Sequence, residues 1–148
     1  MELKELVGLH KLTGVDMDSV SVNTWGSQFE DCQAINFVLD GQTYTATEDP
    51  DDGYRSNMRD IVKSDYKVKN KFKPCKVMAQ MREDDKYGAN EILDLVDVKT
   101  GKVVLSVGTE NTDGYYPWWI ATFTPESMAI NTGSNNRVQR TGDNVAQN

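Results

Sequence analysis

Histidine occurs once in this chain of 148 residues, cysteine twice and proline four times, and no apolar run approaches the length of a membrane span. Each scarcity excludes something. A structural zinc site takes four Cys or His ligands; His10, Cys32 and Cys75 are three, scattered, with no CxxC among them. A spanning helix needs about 20 consecutive apolar residues, so no membrane partner is expected. The opening MELKELVGLHKL carries charges throughout and lacks the apolar centre of a signal peptide. A cytosolic setting is the expectation, with Cys32 and Cys75 as free buried thiols.

The common catalytic signatures are missing too. No G-x-S-x-G elbow occurs, and His10 serves as a base only if folding brings a nucleophile to it. Neither G-x-G-x-x-G nor G-x-x-x-x-G-K-[ST] is present, so no cofactor is expected and the chain reads as non-enzymatic. Formal net charge is −7, which disfavours general nucleic-acid binding.

What is present fits a soluble globular protein: 38% hydrophobic and 26% charged residues, in a length suited to one core. The strongest local signal is CQAINFVLDGQTYTATED. Asp40-Gly41 between two alternating runs predicts a type I′ hairpin, pairing Leu39 with Gln42, Phe37 with Tyr44 and Ile35 with Ala46. Those six residues share one mostly apolar face. EILDLVDVKTGKVVLSV predicts a second hairpin turning near Lys99-Thr100-Gly101, apolar on both sides and hence central in its sheet. WWIATFT reads as the last strand; Thr124 and Pro125 read as the start of a short helix.

Residues 2–13 are mixed, helix or strand. Gly53–Ser64 reads as a short helix with Met58, Ile61 and Val62 on one side. Residues 66–73 then alternate Tyr66, Val68, Asn70, Phe72 with Lys67, Lys69, Lys71, Lys73, the period of a strand that Pro74 ends or marks as an edge. The expected architecture is α+β: a mainly antiparallel sheet of about five to seven strands with two β-hairpins and one or two short helices. It forms a single domain over residues 1–130, and residues 131–148 form a flexible polar C-terminal tail.

Two surfaces stand out. EDPDDGYR at 48–55 places four carboxylates between a strand and a helix. An EF-hand register fails, because aligning Gly53 with the loop glycine puts Pro50 at the third position and Arg59 at the twelfth. The stretch TEDPDDGY nevertheless has an echo in TENTDGY at 109–115. If the two loops meet, Glu48, Asp49, Asp51, Asp52, Glu110 and Asp113 gather at one end of the sheet, where they bind a hard cation or repel one another. The alternatives are ordinary turn chemistry, with Asp52 as an N-cap, and a polar ligand- or partner-binding pocket that includes Asp52 and Tyr54.

The second surface is basic. Residues 63–76 carry six lysines against one aspartate, a net of +5 that leaves −12 for the rest. Lysines guard edge strands against aggregation; they also form anion sites, to which Arg55 and Arg59 are positioned to add. Tyr115, Tyr116 and Trp118 are the aromatic candidates, since Tyr and Trp concentrate in recognition sites. Trp118 and Trp119 point to opposite faces of a strand, so one of them is core.

The stretches FVLDGQTYTATEDPDDGYRS and DLVDVKTGKVVLSVGTENTDGYYPWWIATFTPE resemble, over about residues 8–130, small accessory proteins encoded by tailed bacteriophages. The resemblance implies action in the host bacterial cytoplasm. Three readings follow. The first is a binder that inhibits or sequesters a component of a host defence system, its partner a host protein or a small anionic ligand such as a nucleotide signal, with homo-oligomerisation left open. The second is a virion structural or decoration protein whose tail orders on a neighbour. The third is a metal-dependent enzyme using acidic loops 48–52 and 110–113.

Overall fold

The structure, a computed structural model, describes residues 1–24, 28–50, 56–83, 90–111 and 117–124. Eight strands form among them: β1 (Gly8–Thr24), β2 (Gln28–Leu39), β3 (Gln42–Asp49), β4 (Asn57–Ser64), β5 (Lys71–Met81), β6 (Glu91–Asp97), β7 (Val103–Glu110) and β8 (Trp118–Phe123). They make one antiparallel sheet in the order β4-β3-β2-β1-β5-β6-β7-β8. Two four-stranded meanders are thus joined where β1 pairs with β5. The expected antiparallel sheet is present, with more strands than expected. Helix is reduced, among the described residues, to one 3₁₀ turn at Leu3–Leu6, whose two leucines are buried in the core.

The Asp40-Gly41 turn has φ of 54° and 83°, as a type I′ turn requires, and all three expected pairs are in register. Ile35, Phe37, Leu39 and Ala46 are buried, and Phe37 stacks on Tyr44 with ring centroids 5.9 Å apart. Fully burying one such large apolar side chain stabilises the fold by roughly 1.5–3 kcal/mol. The second hairpin turns through Gly101 at φ 75°, and β6 and β7 place Leu93, Leu95, Leu105 and Val107 in the same core.

One irregularity sets the faces of the sheet. In β1, Leu12 pairs with Leu39 but Gly14 pairs with Val38, so Thr13 is an extra residue. Such a bulge reverses the in–out alternation. Before it Leu12 faces the core; after it Val15 does, while Gly14 and Asp16 turn to the outer face. The ends of the sheet also approach each other, β4 lying against β7 and β8. There the Met58 backbone N–H donates to Thr109 Oγ1 at 2.9 Å.

Three expectations need correction. Asn57–Ser64, expected as helix, is strand β4. Met58, Ile61 and Val62 have helical spacing, but Ile61 pairs with Ala46 and is buried, while Val62 faces outward, exposed. Pairing with β3 outweighs the short periodic signal. The 66–73 run is not one strand either, since β5 begins only at Lys71 and continues through Pro74. Nor is β5 an edge; it lies between β1 and β6. Pro74 is tolerated because it falls in the interrupted register between Lys71↔Gly14 and Cys75↔Leu12, and β6 pairs only from Val77 onward. The expected helix after Thr124 and the tail lie outside the described residues.

Candidate functional site

The lysine run keeps its alternation without being a ladder. Asp65–Asn70 links β4 to β5 as an extended strap over the outer face of β1 and β2. Tyr66 OH donates to one oxygen of Asp16 and Asn70 Nδ2 to the other, each at 2.9 Å. Between them Val68 packs on Gly14, where an added Cβ would come within 3.1 Å of it. Tyr66 and Val68 are half-buried; Lys67 and Lys69 point away and are exposed, as is Lys73 on β5. Lys71 is paired through its backbone with Gly14. Lys67, Lys69 and Lys73 have no ion-pair partner among the described residues.

Beneath the strap lies a polar layer. Asp16 and Asn36 are cross-strand partners, both buried, and Thr45 Oγ1 donates to Asn36 Oδ1. Asn36 Nδ2 has no hydrogen-bond partner. The Tyr66 hydroxyl is pushed up from its ordinary pKa, first by desolvation and then by its bond to Asp16, which keeps it a donor.

The described acidic candidates form no cation cluster. The described bases of both loops lie near each other, joined by the Met58–Thr109 hydrogen bond. Their carboxylates are engaged elsewhere: Glu48 Oε1 accepts from the Gln33 backbone N–H at 3.0 Å, and Glu110 lies 4.0 Å from Arg82. No group of three or more His, Cys, Asp or Glu suited to a metal is found among the described residues. Asp49 also has an interaction. Asp51, Asp52, Tyr54, Arg55, Asp113, Tyr115 and Tyr116 lie outside the described residues. Arg59 sits on β4 rather than on a helix; it donates to the Asn23 carbonyl at 3.4 Å and lies 3.7 Å from Asp60.

Trp118 is 41% exposed on β8, opposite Glu110, while Trp119 packs against the core, so the two indoles divide as expected. Trp118 is not a ladder neighbour of the strap: β8 ends the sheet and the strap crosses β1 and β2. Both cysteines are free, Cys32 buried and Cys75 half-buried. Burial, then the nearby Glu48 carboxylate, raises the Cys32 thiol pKa. His10 has an oxygen within 2.6 Å of each ring nitrogen, Asp40 Oδ2 at Nδ1 and the Leu6 carbonyl at Nε2.

Two structural carboxylates escape sequence reasoning. Asp94 is buried on β6 and takes a bidentate pair from Arg82, Nε at 3.0 Å and Nη2 at 2.9 Å, while Ser106 Oγ donates to it at 2.6 Å. Asp16 anchors the strap. The available signal was an aspartate flanked by apolar residues in a strand pattern, ILDLV or GVDM, because buried carboxylates demand partners.

No protein-family model matches the chain, and no curated protein or solved structure matches it. No helix among the described residues is long and apolar enough to cross a membrane.

Proposed function

We propose that the protein is a non-enzymatic binder of the phage accessory type, which inhibits or sequesters a component of a bacterial host's defence. The partner presents an anionic surface, an acidic protein face or a nucleotide signal, to the lysine strap. The observation that carries this reading is the double anchoring of the strap on Asp16, which fixes its backbone while Lys67 and Lys69 stand in solvent. A pre-ordered backbone lowers the entropic cost of binding. Ammonium groups without internal ion pairs have none to break, and a basic stripe on a chain of net charge −7 steers anions to one place. Phage origin rests on the resemblance alone.

Native mass spectrometry of the protein purified from infected cells is the test. A co-purifying protein or nucleotide-sized mass is expected, released by raised salt and missing from a Lys67→Glu/Lys69→Glu/Lys73→Glu variant. A bare monomer under gentle conditions overturns the reading.

A further inference from the structure

Cover on the outer face is uneven. Beyond the Thr13 bulge the strap lies over β1; on the other side of the bulge a different surface is exposed among the described residues. Leu9, Met78, Val96 and Val103 are successive register partners on β1, β5, β6 and β7. Cross-strand partners share a face, so these four apolar side chains form one row across four strands. Leu9 is 53% exposed, Met78 36% and Val103 44%. The neighbouring row sets Lys11 directly opposite Lys76, both exposed, with no ion-pair partner for either among the described residues. Like charges placed opposite each other weaken a strand pair, so the fold gains nothing from this arrangement. Isolated exposed apolar residues are ordinary; a contiguous row bordered by charge marks an interaction surface.

We infer that this face is a docking surface for an acidic amphipathic helix of a partner protein. The spacing selects a helix. Side chains along the row stand about 4.8 Å apart, one strand spacing, close to the ~5–6 Å between helix residues three or four apart. Three strand gaps span about 14 Å, which about ten helical residues cover. A partner strand would need a free sheet edge, and β5 and β6 are paired on both sides through Val77–Ala79 and Leu93–Leu95. The charge selects acidity. The Lys11–Lys76 row runs along one side of the apolar row, so carboxylates on that flank of the helix meet both ammonium groups. This surface is independent of the strap and of the function proposed above.

The probe is a synthetic helix-forming peptide of about 14 residues, with leucines at i, i+3, i+7 and i+10 and glutamates along one flank. It is titrated into the ¹⁵N-labelled full chain. Amide shifts are expected at Leu9–Lys11, Lys76–Met78, Val96 and Val103. A peptide with lysines in place of the glutamates is expected not to bind. Met78→Glu, and separately Lys11→Glu/Lys76→Glu, are expected to weaken binding at least about tenfold with an unchanged urea midpoint. Should Met78→Glu unfold the chain, Leu9→Asp tests the more exposed end of the row. Shifts elsewhere, or equal binding of the lysine peptide, overturn the proposal. So does a dimer in sedimentation that Met78→Glu dissolves, which makes the occupant a second copy. Binding to phosphatidylglycerol vesicles without binding to the peptide overturns it too.

Discussion

Replacing Arg82 by methionine tests whether the outer-face carboxylate on β6 is stabilised or merely tolerated. The guanidinium holds Asp94 by two charge-assisted hydrogen bonds and reaches Ser106 Oγ at 3.2 Å. The Asp94 side chain is only 10% exposed, so losing Arg82 leaves a buried carboxylate with one hydroxyl for company. Breaking a fully buried pair costs about 3–5 kcal/mol. Arg82 itself is 36% exposed, and water entering the vacated space offsets part of the loss. The discounted expectation is about 2–3 kcal/mol, a fall of roughly 1–2 M in the urea midpoint at constant slope. Asp94→Asn is expected to cost only about 1 kcal/mol, because the amide oxygen still accepts while the guanidinium retains Glu110 and solvent. The double change Arg82→Met/Asp94→Leu is expected to recover most of the loss. Hydrogen bonding to Asp94 raises the Arg82 pKa above its ordinary value. A raised base stabilises the fold fully below its unfolded pKa and loses that only above it, so the deficit stays constant between about pH 6 and 9. A deficit under about 0.5 kcal/mol, or a larger one for Asp94→Asn, refutes the reasoning.

Other consequences can be checked the same way. Gly108 has φ 144°, and a Cβ there would lie 2.0 Å from the Glu91 carbonyl oxygen, so Gly108→Ala is expected to cost roughly 3 kcal/mol or more. Gly8→Ala, with φ 136° but open space, is expected to cost clearly less; equal urea midpoints contradict the clash. Asp40 is held below its ordinary carboxyl pKa, first by the Lys11 backbone N–H and then by His10. A lowered acid stabilises the fold above its unfolded pKa and loses that as pH falls through the folded value. Asp40→Asn is therefore expected to destabilise at neutral pH, with the gap to the parent closing below about pH 4. A gap that does not narrow between pH 7 and pH 3 contradicts this. Tyr66→Phe removes one of the two strap anchors and is expected to speed amide exchange in residues 65–70. Unchanged exchange there means the hydroxyl does not hold the strap.

Turn chemistry carried most of what the sequence disclosed about the fold. Asp40-Gly41 and Lys99-Thr100-Gly101 fix their hairpins because few residues tolerate positive φ; register then follows by counting in the first, whereas in the second it shifts between Leu95 and Val96. Long-range pairing was opaque. Met58, Ile61 and Val62 satisfy a helix and a strand equally, and only the presence of β3 beside them decides. The lysine alternation correctly separated inward from outward side chains in 66–70 but could not tell a ladder from a strap. That choice depends on Asp16, fifty residues earlier in the chain. Arg82 was hidden for a related reason: it stands at the head of REDDKYGAN, which reads as a polar loop until Asp94 folds against it.

The Thr13 bulge links the two candidate surfaces physically. Were Thr13 paired in regular alternation rather than bulged out, Gly14 and Asp16 would face the core, an uncompensated carboxylate would enter the apolar cluster, and the strap would lose its anchor. With the bulge, β1 presents Leu9 and Lys11 on the outer face at one end and Gly14 and Asp16 on that face at the other. β5 runs beside both ends, setting Lys71 against Gly14 and Lys76 against Lys11. The basic stretch therefore does not end with the strap; it continues along β5 into the row beside the exposed apolar residues. Lys67 and Lys69 in the strap thus stand on the same side of the sheet as Lys11 and Lys76, on a chain whose remaining residues are strongly acidic. Random scatter of charge has no reason to produce that, whereas recognition of an anionic partner does.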